Sequence, residues 1–167
     1  PRCLARPTRR RPHGRFATLR TAPARTMPRT RSRRPYVPST TASVRVRYAE
    51  TDKMQVAYYA NYFVWFEVGR CELLRSLGSS YRELETTGLM LPVIEAHCEY
   101  RRPAHYDDDL TILTRGKLMS PARVCFDYEV QRPADQVVTA IGRTVHAAVD
   151  RQGRPTRLPA EIREVLA

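Results

Sequence analysis

RYAETDKMQVAYYANY, residues Arg47–Tyr62, is the stretch on which the reading of this chain turns. Ahead of it, Ser43–Tyr48 alternates: Val44, Val46 and Tyr48 share one face, Arg45 and Arg47 the other. A period of two is that of a half-buried strand. Beyond it, Asn61–Leu77 spaces Phe63, Phe66, Leu73, Leu74 and Leu77 as a helix does. Asn61 is an N-cap candidate, and Gly78 supplies a C-terminal stop. Glu50–Tyr59 is then the turn that joins strand to helix. Asp52 sits in that turn, with Tyr48, Tyr58, Tyr59 and Tyr62 crowding it from both sides. A carboxylate just ahead of a helix N-terminus and beside apolar groups is open to tuning for chemistry.

Working outward, the first half of the helix (YFVWFEV) is apolar nearly all round and is expected to be buried on most sides. Ser79–Gly88 is polar and reads as a second short helix or a lid. Four strand-like runs follow: Leu91–Arg101, Leu110–Leu118, Arg123–Gln131 and Gln136–Val149. In the third, Val124, Phe126, Tyr128 and Val130 share one face. Leu158–Leu166 closes the chain as a short helix. The expected class is α+β: a long central helix wrapped by a five-stranded antiparallel sheet, whose edge a second subunit can cover.

The net charge of +12 misleads. Of the 29 basic residues, 14 lie in 1–49, all of them Arg, and no acid precedes Glu50. The remaining 15 face 17 acids over 50–167, a balance of −2. The basic charge therefore belongs to a tail, and nucleic-acid binding by a folded basic face is discounted. Residues 1–42, rich in Arg, Pro, Thr and Ala, have no hydrophobic period and are expected to be disordered. An organelle transit segment, a basic arm for an anionic partner, and translated sequence ahead of Met27 are the three readings of that tail. The expected ordered domain spans 43–167. No apolar run reaches 18 residues, so no membrane partner is expected. Cys3, Cys71, Cys98 and Cys125 lack metal-ligand spacing. Cys98 and Cys125 fall in apolar strand patterns as small buried hydrophobes, which suits a reducing, cytoplasmic setting.

RYAETD followed by VAYYANY, FEVGRCELLR, EYRRPAHYDDDL and LPAEIREVL together resemble the hotdog-fold acyl-CoA thioesterases of the 4-hydroxybenzoyl-CoA thioesterase and YbgC-like group. The resemblance covers about Ser43–Ala167. It implies the hotdog fold, hydrolysis of an acyl-CoA thioester without a cofactor or metal, and a homodimer or homotetramer. By position, the family's catalytic aspartate falls on Asp52, and its carbonyl-polarising backbone N–H on Tyr59. The chemistry agrees. Thioester hydrolysis needs a base or nucleophile, and a carboxylate serves as either. It also needs a donor for the oxyanion, which an N–H at a helix start supplies.

Gln55, Val56, Tyr58 and Glu67 are the candidate substrate-binding residues. The family usually places Gly where Gln55 stands; Gln there either takes an unusual backbone angle or reshapes the turn. Glu67 is a second candidate carboxylate, since a related hotdog group uses a helix Glu; pairing with Arg70 at i+3 is the competing reading. Lys117 and Arg123, at the two ends of the KLMSPAR loop, are the candidate cations for coenzyme A. His97, His105 and His146 show no partner pattern, and Asp107–Asp109 lacks calcium-loop spacing. A non-catalytic acyl-binding or interaction protein on the same fold stands as the alternative. A hotdog dehydratase ranks last, because the helix offers no His.

Overall fold

Alternation and helical spacing each find their element in the computed structural model, which describes residues 37–78 and 81–167. The expectations made for the tail up to residue 36, including Cys3 and Met27, lie outside the described residues. The elements are β1 (Ser39–Arg45), a single 3-10 turn (Tyr48–Glu50), α1 (Asn61–Ser76), α2 (Tyr81–Thr86), β2 (Val93–Tyr100), β3 (Asp109–Ser120), β4 (Arg123–Arg132), β5 (Val137–Ala147) and α3 (Ala160–Leu166). They belong to one unit, Pro35–Ala167. The five strands form one antiparallel sheet in the order β1-β3-β4-β5-β2. With α1 laid across it, this is the hotdog arrangement.

The core lies between α1 and the sheet. Trp65, Phe66, Leu73 and Leu74 of α1 are buried against Ile112, Phe126 and Tyr128. Phe66 stacks on Tyr128 with ring centroids 4.5 Å apart. In β4, Val124, Phe126, Tyr128 and Val130 are all buried, as the alternation requires. Gly142 leaves room for the Phe66 ring, which would lie 2.2 Å from any Cβ there.

Four expectations change. β1 begins at Ser39, inside the segment expected to be disordered; Ala42 and Val44 point inward, and the Pro38 carbonyl accepts the Gly116 N–H at 3.1 Å. Pairing with β3 orders a run too polar to announce itself. Tyr48 does not share the inner face of Val44 and Val46. The chain leaves the sheet at Val46, and Tyr48 is 79% exposed, edge-on to Tyr106. Asn61 is the first residue of α1 rather than its cap, and Ala60 takes the cap position in a helical conformation. Finally, α1 is buried along one stripe rather than on most sides. Val64 is 50% exposed and Glu67 lies open, because only one stripe of the helix meets the sheet.

Candidate active site

The turn between β1 and α1 is built around Glu50. Its side chain is buried and accepts the Arg47 backbone N–H and guanidinium, each at 2.8 Å, and the Trp65 indole N–H. Burial pushes this carboxyl up, but those bonds outweigh it and hold the group below the usual carboxylate range. Its carbonyl accepts the Tyr58 N–H at 2.8 Å and the Asn61 Nδ2 at 2.7 Å. One residue thus ties the entry of the turn to its exit.

Between those ties the chain makes a narrow hairpin, with Thr51 bridged to Ala57. The Asp52 N–H reaches the Val56 carbonyl, and the Gln55 N–H reaches the Asp52 carbonyl, both at 2.9 Å. One Asp52 carboxylate oxygen accepts the Met54 N–H at 2.8 Å. That bond closes an Asx-type turn and fixes the side chain, leaving the second oxygen without a hydrogen bond among the described residues. Gln55 takes φ 64°, the left-handed conformation that Gly adopts freely. Of the two readings of Gln55, the unusual backbone angle is the one observed.

The hairpin is pinned from below by the β2–β3 connection. Val56 bridges His105, and the Ala57 N–H donates to the Ala104 carbonyl at 2.8 Å. That connection is itself clamped: Arg132 donates to Asp108 at 2.8 Å and to the Pro103 carbonyl at 3.3 Å, while Asp108 also accepts the His105 N–H at 2.8 Å.

At the helix start, the Tyr58 carbonyl accepts the Asn61 N–H at 2.9 Å. This fixes the plane of the Tyr58–Tyr59 peptide, whose trans N–H must point to the opposite side. The Tyr59 N–H has no acceptor among the described residues. The Tyr59 carbonyl is held by the Tyr100 hydroxyl at 3.1 Å. Burial, then the neighbouring Cys98, push the Tyr100 phenol up to about 12, so it remains a donor.

Asp52, Val56 and Tyr59 line one cleft of about 320 Å³, together with Tyr62, Tyr100 and Arg102. Two other candidates do not line it: Tyr58 packs on the Tyr59 ring at 4.4 Å, and Gln55 is solvent-exposed. Glu67 borders a different cavity of about 280 Å³, between α1 and the sheet, with Arg70, Tyr128 and His146. The sequence reading missed Glu50, Tyr100, Arg101 and Arg102. Glu50 stands two residues from Asp52 and was signalled by being the first acid in the chain. The others come from the distant end of β2, and no local pattern signals them.

Comparison with known proteins gives a consistent result. Residues 46–166 match the family described as the thioesterase-like superfamily. The chain is 34% identical over 109 residues to YneP of Bacillus subtilis, covering 65% of this chain and 78% of that protein. It is 29% identical over 119 residues to the acyl-CoA thioester hydrolase YbgC of Escherichia coli, covering 71% and 89%. Among solved structures, the DHNA-CoA thioesterase of Staphylococcus aureus is 30% identical with a TM-score of 0.69, over 72% of this chain and 80% of that one. The Synechocystis protein Slr0204 has a TM-score of 0.72 at 23% identity, over 77% and 95%, and supports the fold alone.

Proposed function

Because the chain belongs to the thioesterase-like superfamily, we propose that it is an acyl-CoA thioesterase, hydrolysing the thioester to a free acid and coenzyme A, with Asp52 and the Tyr59 N–H as its working groups. One observation carries the assignment of roles: a fixed carboxylate with one oxygen free, and a helix-start N–H without an acceptor, both among the described residues, belong to residues that line the same cleft.

The thioester carbonyl oxygen sits on the Tyr59 N–H, where the positive end of the α1 dipole adds to the donor. Asp52 acts from the other side, as nucleophile or as base for water. In the base route, Asp52 takes a proton from water and the resulting hydroxide adds to the carbonyl carbon. The charge that develops on oxygen meets the N–H. The intermediate collapses by breaking the C–S bond, and the thiolate leaves and takes up the proton. A general base contributes about 10²–10⁴ in rate, and one oxyanion donor about 10²–10³. Thiolate is a good leaving group, so this modest machinery suffices. Gln55 and Tyr58 act on the substrate from the rim of the turn, and Val56 from the cleft wall. Glu67 belongs to a separate subsite in the monomer.

The test is free-thiol release from short, long and aromatic acyl-CoAs by wild type and Asp52→Asn. Asn keeps an oxygen for the Met54 N–H, so the turn persists while the charge is lost. A fall in kcat of on the order of 10² or more is expected; unchanged turnover moves the chemistry elsewhere.

We also propose a homodimer. β2 is a free edge of the sheet, and all its residues but Cys98 are exposed. An open edge with Val93 and Ile94 showing is a template for another strand, and two copies of β2 satisfy each other about a two-fold axis. Sedimentation equilibrium should give twice the chain mass or a multiple of it; a monomer at micromolar concentration refutes this. The free thiols of Cys71, Cys98 and Cys125 fit a reducing compartment such as the cytoplasm.

A further inference from the structure

Arg101 and Arg102 follow the last residue of β2, and their backbone is irregular. Both N–H groups donate to the same carbonyl, that of Thr139, at 2.8 and 3.1 Å. Two consecutive residues set against one on the partner strand is the pattern of a β-bulge, which re-aims side chains at sheet edges and beside active sites. In a regular strand, successive side chains point to opposite faces. Here both residues line the Asp52 cleft, and both also line a second cavity of about 490 Å³ walled by Val137, Val138 and Ile141. Pro103 follows and restricts Arg102 to extended backbone.

The charges at this junction do not cancel. Arg101 pairs with Glu99 at 2.9 Å. Arg102 donates to the Arg101 carbonyl at 3.0 Å, and no carboxylate pairs with it among the described residues. Its remaining donors keep the fork geometry that matches carboxylates and phosphates. Lys117, a candidate cation for coenzyme A, instead faces Asp127 at 3.9 Å.

We propose that Arg101 and Arg102 form a subsite for an anionic oxygen group of the thioester substrate, taking the terminal carboxylate of an acidic acyl group or a phosphate of the carrier. This rests on the thioesterase reading. A thioester held at Asp52 brings the far end of a short acyl chain to the guanidiniums within one cleft. The apolar wall of the second cavity receives the chain or carrier that continues past them. The arginines select the substrate; they take no part in bond breaking.

The experiment compares kcat/KM for succinyl and butyryl thioesters, each on coenzyme A and on N-acetylcysteamine, in wild type, Arg101→Gln, Arg102→Gln and Arg102→Lys. Both side chains are exposed, so folding is not at stake. A carboxylate subsite lowers the succinyl-to-butyryl ratio on both thiols in Arg102→Gln, by on the order of tenfold, with partial recovery in Arg102→Lys. A phosphate subsite lowers the coenzyme A-to-N-acetylcysteamine ratio for both acyl groups. Both ratios unchanged overturns the proposal. Calorimetric titration of the same proteins with coenzyme A and with succinate decides the subsite even if wild type hydrolyses none of the four. Weaker binding of either in Arg102→Gln supports it, and equal or absent binding overturns it, whereas the thioesterase reading fails on turnover alone.

Discussion

The most informative single residue is Gln55. Its φ of 64° puts a side chain in the left-handed region that Gly adopts freely. The left-handed conformation costs an ordinary residue about 1–2 kcal/mol, and a β-branched residue there is a severe outlier. Gln55→Val is therefore expected to lower stability further than the strain Gln already carries, by on the order of 1 kcal/mol. Gln55→Gly should be neutral or slightly stabilising, the relieved strain being offset by the greater freedom of Gly in the unfolded chain. Urea unfolding of the three proteins checks this; equal midpoints for Gln and Val would mean that the turn relaxes. Glu50 matters at the same scale. Its carbonyl occupies the Tyr58 N–H, while the next N–H, that of Tyr59, has no acceptor among the described residues.

Among the elements, α1 decides how close helix and sheet come. Gly69 faces β3 at a point where a Cβ would lie 2.3 Å from the Thr114 Oγ1 and 2.9 Å from the Ile112 Cγ2. Neither neighbour has room to move, since both are fully buried. Overpacking of this kind costs about 1–3 kcal/mol, against roughly 1 kcal/mol gained from the helix propensity of Ala over Gly. Gly69→Ala is expected to be destabilising on balance, by on the order of 1 kcal/mol. It should also weaken turnover, because lifting the helix start moves the Tyr59 N–H relative to Asp52. Stability measured by urea and turnover measured on the same sample check both halves. A stabilised variant would show that the helix is not held this close.

For the whole molecule, pH exposes a buried network. His146 bonds to the Leu91 carbonyl and to the Thr144 hydroxyl, both at 2.9 Å, and Thr144 meets the Tyr128 hydroxyl at 2.8 Å. Burial pushes the imidazole down to about 4; the bond to Leu91 opposes this and the nearby Arg70 charge adds to it. An unfolded histidine titrates near 6.5. Between those values the unfolded chain binds a proton that the folded one refuses, so stability falls as pH drops through that window and levels off below it. The loss amounts to roughly 3 kcal/mol. Unfolding free energies between pH 7 and 4 should show it, and His146→Gln should give a flatter profile. Identical slopes would assign the pH dependence to the carboxylates.

The sequence by itself determined the α+β class, because its two periods are local: alternation marked β4, and helical spacing followed by Gly78 marked α1; the hotdog assignment rested on the resemblance carried by RYAETD and VAYYANY. The sequence also singled out Asp52, since a carboxylate between a strand and an aromatic helix start is visible within a dozen residues. Only the tertiary structure decided the rest. The polar run Ser39–Ala42 becomes a strand because β3 supplies its hydrogen bonds, and Tyr48 faces solvent because the chain leaves the sheet at Val46. Glu67, read as a second candidate carboxylate because a related hotdog group uses a helix Glu, borders another cavity because the helix carries it away from the turn. Tyr100 and the two arginines reach the cleft from about forty residues down the chain, brought there by strand pairing and a bulge. Local pattern reports which face of an element is buried; which distant side chains share a cavity is set by register and packing between elements.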